Sequence, residues 1–350
     1  MKQRFTLFFF IIFCFSLTAQ DSQNMTLQSR WDVDTLPKSG GIHYNEVWGY
    51  VDCEGNEYAI FGSAAYLHFI QIVTPDSLHQ VDLFPGGNTT TWRDPKTYKT
   101  HAYSVCDGCS EGMMIFDLSD LPNSVQKVNQ TTEFFNRSHN IFIDEPNGKL
   151  YAVGTDTQGG GVIIFDLTQN PDTPTVWAEH NVPGGYMHDI YVKDYIGYGF
   201  SGNNGLYIYD FSDPDTVVVL GSLTQYPEKG YNHAGWLSSD ENFMVFADET
   251  HNRGLKLIDV SDKSDIQVTD LFRSKLLAPD TASIAHNPTI RDNYVISSYY
   301  HDGVTIFDYS DPYNVELVAY YDTEPNNTNY NGFRGCWGVY PFLPSGLILA

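Results

Sequence analysis

The sequence is poor in positive charge. Only 19 lysine and arginine residues stand against 43 aspartate and glutamate residues, which gives a formal net charge of −24 over 350 residues. A surface of this charge repels phosphate backbones, so we expect no nucleic-acid partner. It is compatible with high solubility or with the attraction of cations.

Beyond its first 20 residues, the chain lacks any apolar run that could cross a membrane as a helix. Residues 1–20 contain Lys2 and Arg4, then about 13 apolar residues, then small residues before a polar segment. This order is typical of a secretory signal, which we expect to be cleaved after Gln20. The sequence therefore predicts a protein that is secreted or held at the cell surface, with no transmembrane segment.

Several catalytic signatures are also missing from the sequence. There is no nucleophile elbow, no phosphate-cradling glycine motif and no His-Glu-x-x-His helix. No long segment has helical periodicity, whereas aromatic residues make up 15% of the chain, with 24 tyrosines and 22 phenylalanines. These strand-forming residues indicate an all-β protein with a large core.

The main positive feature is a short apolar run that returns at a near-constant interval. Each run starts with glycine, continues with four mostly apolar residues and ends with aspartate, and its glycines are 49, 44, 49 and 49 residues apart. Such a period indicates an array of one supersecondary unit. The five runs begin at Gly112, Gly161, Gly205, Gly254 and Gly303, and a degenerate copy begins at Tyr66.

Each unit divides into four short strands, which is typical of one blade of a β-propeller. Counting the first strand of each unit gives seven blades, so we expect one seven-bladed propeller over residues 21–350. The seventh unit has no recognisable third strand before Ala350, which suggests a truncated or incomplete last blade. Residues 25–33 would then supply the outer strand of that blade and close the ring.

The units resemble LVIVD repeats, which are named for an apolar third strand that ends in aspartate. The motifs also follow each other in an order that resembles the choice-of-anchor B family of exported bacterial proteins, over about residues 25–350. That resemblance implies a surface location, with an anchor that varies among members, and it implies no established enzymatic activity. The motifs lie at 45–50, 92–94, 138–144, 187–189, 247–254, 285–287 and 337–341.

Propeller geometry predicts where these units place their polar residues. The first strand of each blade lines the central channel, so residues at the start of these strands should meet at one mouth of the channel. Four consecutive units place a histidine there, which suggests a ligand site or a divalent-metal site. The seven residues are Trp48, Arg93, His139, His188, His233, His286 and Trp337.

This ring of residues has three interpretations. Neutral histidines, with an oxygen or a supporting hydrogen bond from Asp189 or Asp248, would bind a divalent metal. Protonated histidines with Arg93 would bind a carboxylate or a sulfate-like group. A purely structural role is favoured, in which each histidine hydrogen-bonds the backbone of a neighbouring blade.

Other polar residues have more local explanations. The loop that contains Asp248, His251 and Arg253 could perform acid–base work or bind a ligand, although a self-satisfied loop is the simpler interpretation. We expect the aspartate at the end of each repeated run to accept backbone hydrogen bonds in an Asx-turn. Cys106 and Cys109 have the spacing of a redox or half-zinc motif, but no second pair accompanies them, so we expect a local disulfide or two free thiols. The disulfide state of Cys53 and Cys336 stays open.

The sequence therefore predicts an exported, surface-associated binding module, expected to be a monomer, that takes a glycan, a peptide or a surface protein at its channel mouth. The first alternative is a metal-dependent hydrolase or lyase that uses the histidines. The second is a purely structural scaffold with no ligand. An enzymatic role is not favoured, because the recognisable catalytic motifs are absent.

Overall fold

The structure is a computed structural model that describes residues 22–274, 283–325 and 332–350. These residues form six antiparallel sheets of four strands each, one after another along the chain, with one extra short strand on the last sheet. Within each sheet the strands are hydrogen-bonded in sequence order, which is the arrangement of a propeller blade. In the described part of the chain, no helix is both long and apolar enough to cross a membrane.

The strands of the first three blades are short and regular. Blade one contains β2 (Tyr44–Val51), β3 (Glu57–Ser63), β4 (Tyr66–Thr74) and β5 (Ser77–Pro85). Blade two contains β6 (Trp92–Tyr98), β7 (His101–Asp107), β8 (Met113–Asp117) and β9 (Gln126–Thr131). Blade three contains β10 (Asn140–Asp144), β11 (Lys149–Val153), β12 (Val162–Asp166) and β13 (Thr175–His180), with short 3-10 turns at Glu145–Asn147 and Gln158–Gly160.

The remaining blades repeat the pattern. Blade four contains β14 (Asp189–Lys193), β15 (Ile196–Phe200), β16 (Leu206–Asp213) and β17 (Thr216–Leu223). Blade five contains β18 (Asn232–Leu237), β19 (Phe243–Asp248), β20 (Leu255–Asp259) and β21 (Gln267–Phe272). Blade six contains β22 (Pro288–Arg291), β23 (Tyr294–Tyr299), β24 (Gly303–Asp308) and β25 (Glu316–Tyr321), and β1 (Ser22–Gln23) pairs with β25 at its outer edge.

The repeated apolar run is the third strand of each blade, as the sequence predicts. In blade three, four consecutive residues of β12, from Val162 to Phe165, are almost completely buried because both faces of the blade pack against neighbouring blades. Ile163 and Phe165 pack with residues of blade two, and Val162 and Ile164 pack with residues of blade four. The core is thus a series of interblade layers rather than one central cluster.

The aspartate at the end of each run closes a turn, which confirms the Asx-turn prediction. Its Oδ1 atom accepts a hydrogen bond from the backbone N–H two residues later, at 2.7 to 2.9 Å. The repeated carboxylate is therefore an architectural device. The five residues are Asp117, Asp166, Asp210, Asp259 and Asp308.

The prediction of seven blades is wrong, because the described residues form six. Trp337, counted as the start of a seventh first strand, lies in no strand. Its neighbours make only isolated bridges, between Cys336 and Tyr300 and between Tyr340 and Leu349. The motif around Trp337 resembles an inner strand in composition, but in the part of the chain that the structure describes no second strand pairs with it.

Residues 336–349 instead pack across the junction between blade six and blade one. Ser298 Oγ of blade six donates a hydrogen bond to the Trp337 carbonyl at 2.8 Å, and Ser345 Oγ donates one to Glu57 of blade one at 2.6 Å. A glycine allows the close approach to blade one, since a Cβ at Gly49 would lie 2.2 Å from Tyr340 Cε1. This segment therefore joins the first and last blades.

The N-terminal residues do not supply the expected outer strand. Residues 25–33 contain no strand, and β1 precedes them, pairing with the outer strand of blade six. Asn24 continues this contact, since its Nδ2 donates a hydrogen bond to the Val318 carbonyl at 2.8 Å. The predicted secretory signal at residues 1–20 lies outside the described residues.

Candidate binding site at the channel mouth

Aromatic side chains fill one end of the central channel. Phe142, Tyr191 and Trp236, from blades three, four and five, have ring centroids 4.9 to 5.9 Å apart. On the other side, Phe342 stacks on Trp236 at 5.2 Å, and Tyr340 contacts Trp48 of blade one at 4.9 Å. These contacts cross the channel, so this end is packed with side chains.

Carboxylates and one lysine occupy the next level of the channel. Lys96 Nζ forms an ion pair with Asp94 and lies 4.6 Å from the centroid of the Trp48 ring. Burial raises the pKa of Asp94, and it raises the pKa of Glu46 to about 7 and that of Asp189 to about 8. The positive charge of Lys96 opposes all three shifts. Three carboxyl groups thus surround a single ammonium group.

The opposite mouth of the channel contains a small polar cavity of about 40 Å³, which has room for roughly three water molecules. The structure brings six of the seven residues predicted for the channel mouth together around it. They are Arg93, His139, His188, His233, His286 and Trp337, joined by Glu46, Trp92, Asp94, Asn140, Glu249 and Asn287.

The four histidines form a continuous row along the cavity wall. The ring centroids of His139 and His188 are 4.0 Å apart, those of His188 and His233 are 4.4 Å apart, and those of His233 and His286 are 4.3 Å apart. Each histidine comes from the start of the inner strand of a successive blade. The row therefore follows from the repeat itself.

The two ends of the row have clear structural partners. The Nδ1 atom of His139 hydrogen-bonds Asp107 Oδ2 at 3.0 Å, and that of His286 hydrogen-bonds the Trp337 carbonyl. His139 thus contacts a side chain of blade two, and only His286 bonds a backbone group, which belongs to the C-terminal segment and not to a blade. The two central histidines differ: His188 and His233 are 6% and 5% exposed, and their Nδ1 atoms are buried without a hydrogen-bond partner.

The buried histidines favour the neutral form. Burial, reinforced by neighbouring histidines, holds the pKa of His188 and of His233 well below the usual value, and burial lowers that of His286 to about 3. The main chain of the next histidine acts weakly in the opposite direction on His188 and on His233. Near neutral pH these rings therefore present uncharged nitrogen atoms to the cavity.

Glu249 faces the central part of the row. Its Oε2 lies 3.8 Å from His233 Nε2, and its Oε1 lies 3.7 Å from His286 Nε2. Ligand atoms of His188, His233 and Glu249 all lie within 4.8 Å of one another. Burial raises the pKa of this carboxyl group.

The geometry argues against the anion-binding interpretation. Arg93 is almost fully buried, and its guanidinium group donates to both oxygens of Glu111, at 2.7 and 3.1 Å, and to the Asn88 carbonyl. Its charge is thus neutralised inside blade two. With neutral histidines and several carboxylates beside it, the cavity favours a cation or a neutral polar group.

Four of the other proposed site residues lie elsewhere. Trp48 belongs to the aromatic end of the channel, where its Nε1 donates to Thr97 Oγ1 at 3.2 Å. Asp248 is completely buried in an ion pair with Lys256 Nζ at 2.5 Å. His251 is exposed, and neither it nor Arg253 lines the cavity.

Asp189, proposed as a metal ligand, lies at the level of Lys96 and does not line the cavity. Its Oδ1 accepts a hydrogen bond from the Ile190 backbone N–H at 2.7 Å. Three acidic residues that do line the cavity, Glu46, Asp94 and Glu249, had not been selected from the sequence. Glu46 lies within a register shift of β2, and Glu249 directly follows β19, so neither aligns with the repeated histidine.

The cysteine pair lies close to this face but does not form part of the site. Cys106 and Cys109 form a disulfide across the turn that follows β7, which confirms one of the two expected states. Their sulfur atoms are then unavailable to a metal. Among the described residues, Cys53 is a free exposed thiol and Cys336 is a free buried thiol.

Three exposed aromatic side chains stand around the cavity. Trp92, Tyr186 and Phe333 are 44%, 39% and 47% exposed. Trp92 lines the cavity, and the Tyr186 ring lies 6.3 Å from His188. Phe333 packs on Tyr300 at 5.4 Å, and Tyr300 in turn contacts His286 at 4.6 Å. We call these three residues the aromatic rim.

Comparison with protein-family models and with curated proteins finds no match to this sequence. Solved structures do match it in fold. A functionally unknown protein from Desulfotomaculum acetoxidans is 13% identical, with a TM-score of 0.60 over 87% of this chain and 95% of that chain. A protein from Lactobacillus plantarum is 13% identical, with a TM-score of 0.58 over 73% and 78% of the two chains.

A third similar structure comprises the WD40 repeats of RRP9. It is 11% identical, with a TM-score of 0.58 over 88% of this chain and 86% of that chain. At such identities the likeness extends to the fold alone. The chain is thus a β-propeller, an architecture suited to an interaction or scaffold module.

Proposed function

We propose that this protein is an exported, surface-associated binding module that recognises a glycan at its channel mouth. The observation that carries the proposal is the aromatic rim above a polar cavity. Exposed aromatic faces pack against the apolar faces of sugar rings, and carboxylate and amide groups hydrogen-bond sugar hydroxyls. Glu46, Asn140 and Asn287 provide such polar groups in the cavity wall.

Two features of the sequence support the cellular location. The basic and apolar N-terminal 20 residues have the order of a secretory signal. The motif order resembles that of the exported choice-of-anchor B proteins. The proposal predicts a processed protein in the extracellular or surface fraction, with an N-terminus near Asp21 by mass spectrometry. An unprocessed protein retained in the cytoplasm would contradict it.

A glycan array followed by titration calorimetry with the best oligosaccharide tests the binding role. Replacing an aromatic anchor of a binding site costs at least about tenfold in affinity, so we expect this loss for Trp92→Ala and Phe333→Ala. Tyr313→Ala is the matched control, because Tyr313 is 69% exposed and lies outside the aromatic rim. Equal affinities for all three variants would overturn the proposal, as would the absence of any glycan ligand.

A metal-dependent hydrolase or lyase is the second candidate. The observation that favours it is the approach of His188, His233 and Glu249 to one another within 4.8 Å. Turnover that is lost on metal removal and restored by metal addition would support this candidate. Ligand binding without turnover would favour the binding module.

A further inference from the structure

We propose that His188, His233 and Glu249 bind a divalent first-row transition metal ion such as Zn²⁺ at the floor of the channel-mouth cavity. The inference concerns the same face as the glycan-binding proposal but does not depend on it. It rests on the geometry of the three side chains, on the donor types that they offer and on the charge of the cavity.

The spacing of the ligand atoms suits an ion. Two ligands of a tetrahedral zinc site, each about 2.1 Å from the metal, are roughly 3.4 Å apart. The distance of 3.8 Å between His233 Nε2 and Glu249 Oε2 is too long for a hydrogen bond, yet only a few tenths of an ångström beyond that ligand spacing. The ligand atom of His188 lies within 4.8 Å of the other two, so side-chain rotation must close this larger gap for all three to reach one ion.

The protein leaves the two central imidazoles unsatisfied. His188 and His233 are each more than nine-tenths buried beside the cavity, and each has a ring nitrogen without a hydrogen-bond partner. A buried polar group without a partner costs about 1–3 kcal/mol, so such a pair calls for an explanation. The outer histidines have partners at Nδ1 and the central pair does not; an ion would bind at the other ring nitrogen, Nε2, with which His233 faces Glu249.

The surrounding groups hold the ligands in place. The Tyr300 hydroxyl donates a hydrogen bond of 2.6 Å to Glu249 Oε1, which fixes the carboxylate. The Trp337 carbonyl accepts from His286 Nδ1, so the Nε2 atom of His286 is free to face Glu249 at 3.7 Å. A carbonyl group often orients a histidine that binds a metal. His286 nevertheless lies outside the group of three whose ligand atoms are all within 4.8 Å of one another.

Charge and donor type determine which ion would bind. Glu46, Asp94 and Glu249 line the cavity, and the two nearby cations are already paired. Arg93 is paired with Glu111, and Lys96 is paired with Asp94. Imidazole nitrogens with one carboxylate oxygen suit zinc, cobalt and nickel, whereas calcium and magnesium prefer all-oxygen sites. We therefore expect selectivity for the first group.

Metal binding is tested on tag-free protein that has been stripped with a chelator. Titration calorimetry with Zn²⁺, with Mg²⁺ as the comparison ion, and elemental analysis after dialysis should give one zinc per chain and no magnesium. Co²⁺ should produce the intense visible absorption of a low-coordinate nitrogen–oxygen site. We expect His188→Gln and Glu249→Gln to weaken zinc binding at least tenfold.

The matched controls are His79→Gln and Glu54→Gln, which change exposed residues outside the cavity. Circular dichroism shows whether each variant is folded. The zinc stoichiometry is measured on the unaltered protein, so that test does not depend on the folding of any variant. Absence of stoichiometric zinc, or unchanged affinity in folded Glu249→Gln, would overturn the inference. If zinc does not bind but glycan binding persists in chelator, the metal inference fails and the glycan proposal stands.

Discussion

The hydroxyl group of Tyr300, in the turn that follows β23 of blade six, donates a hydrogen bond of 2.6 Å to the carboxylate of Glu249, which follows β19 of blade five. Both residues stand after the second strand of their blade, so the contact links equivalent positions of two repeats. Tyr300 is fully buried, and its pKa is raised well above the ordinary value by burial and by the Glu249 charge. The hydroxyl is therefore a permanent donor to this carboxylate.

Replacing Tyr300 by phenylalanine should weaken zinc binding roughly tenfold, because losing a residue that orients a metal ligand commonly costs 10–100-fold in affinity. The ring contacts with His286 and Trp337 stay, so the variant should fold, with a thermal midpoint lowered by the loss of the hydrogen bond to Glu249. Zinc titration of Tyr300→Phe measures the effect. Tyr294→Phe, on an exposed ring of β23, is the control. Equal affinity in both variants would show that Glu249 needs no such support.

Asp248 should be essential for stability and dispensable for binding. It forms an ion pair with Lys256 in which both side chains are completely buried, and it accepts a hydrogen bond from Tyr226 at 2.8 Å. Removing one partner of a buried pair costs about 3–5 kcal/mol, because the other charge stays buried alone. We expect this loss in urea unfolding of Asp248→Ala.

The double variant Asp248→Leu with Lys256→Met should recover at least half of that loss, since it removes both charges together. Zinc affinity of the folded double variant should equal that of the unaltered protein. A selective loss of zinc affinity in this variant would return Asp248 to the list of site residues.

Glu46 should make the protein less stable as pH rises from about 4.5 to about 7. Burial raises the pKa of its carboxyl group from 4.5 to about 7, so the folded state binds more protons than the unfolded state between these two values. The free energy of unfolding should therefore fall as pH rises through this window. The loss is at most about 3 kcal/mol, and water in the channel reduces it, because the side chain is only partly buried by surface area.

The measurement is urea unfolding between pH 5 and pH 8 in the presence of a chelator. Glu46→Gln should flatten the profile, since glutamine keeps an oxygen for the Asn287 amide and carries no titratable proton. Asp189, whose pKa is about 8, acts in the same direction and should leave a residual slope. A profile that is identical with and without Glu46 would contradict the expected shift.

The C-terminal segment should contribute strongly to stability, although it forms no blade. Leu343 within it is completely buried. Truncation of a buried leucine to alanine costs about 2–5 kcal/mol, so Leu343→Ala should lower the free energy of unfolding by that amount. Leu27→Ala, at a half-exposed position, is the control. A loss below about 1 kcal/mol in urea unfolding would mean that the junction of blades six and one is held by other contacts.

The blade architecture could be predicted from the sequence because each feature of the repeat has a structural cause. A buried third strand needs an unbroken apolar run, and its closing turn needs an aspartate, so both features recur wherever a blade recurs. The blade count failed at Trp337, whose aromatic motif matches an inner strand. Strand formation requires a partner, and the Trp337 backbone is engaged by His286 and Ser298 instead.

The candidate site was predictable only in part. The four histidines align with the period, so their convergence could be foreseen. Glu249 lies after a strand, where the repeat imposes no residue type, and its role depends on contacts across blades. One signal was available: Asp107 and Glu249 both occur at the end of a second strand and face the histidine that starts an inner strand.

The central claim is that His188, His233 and Glu249 form a metal-binding floor in the channel mouth. An anomalous difference map from zinc-soaked crystals, with data collected on both sides of the zinc edge, tests this claim most directly. We expect one peak per chain, within bonding distance of His188, His233 and Glu249. No peak at this position in fully soaked crystals, or a peak only at surface carboxylates, would contradict it.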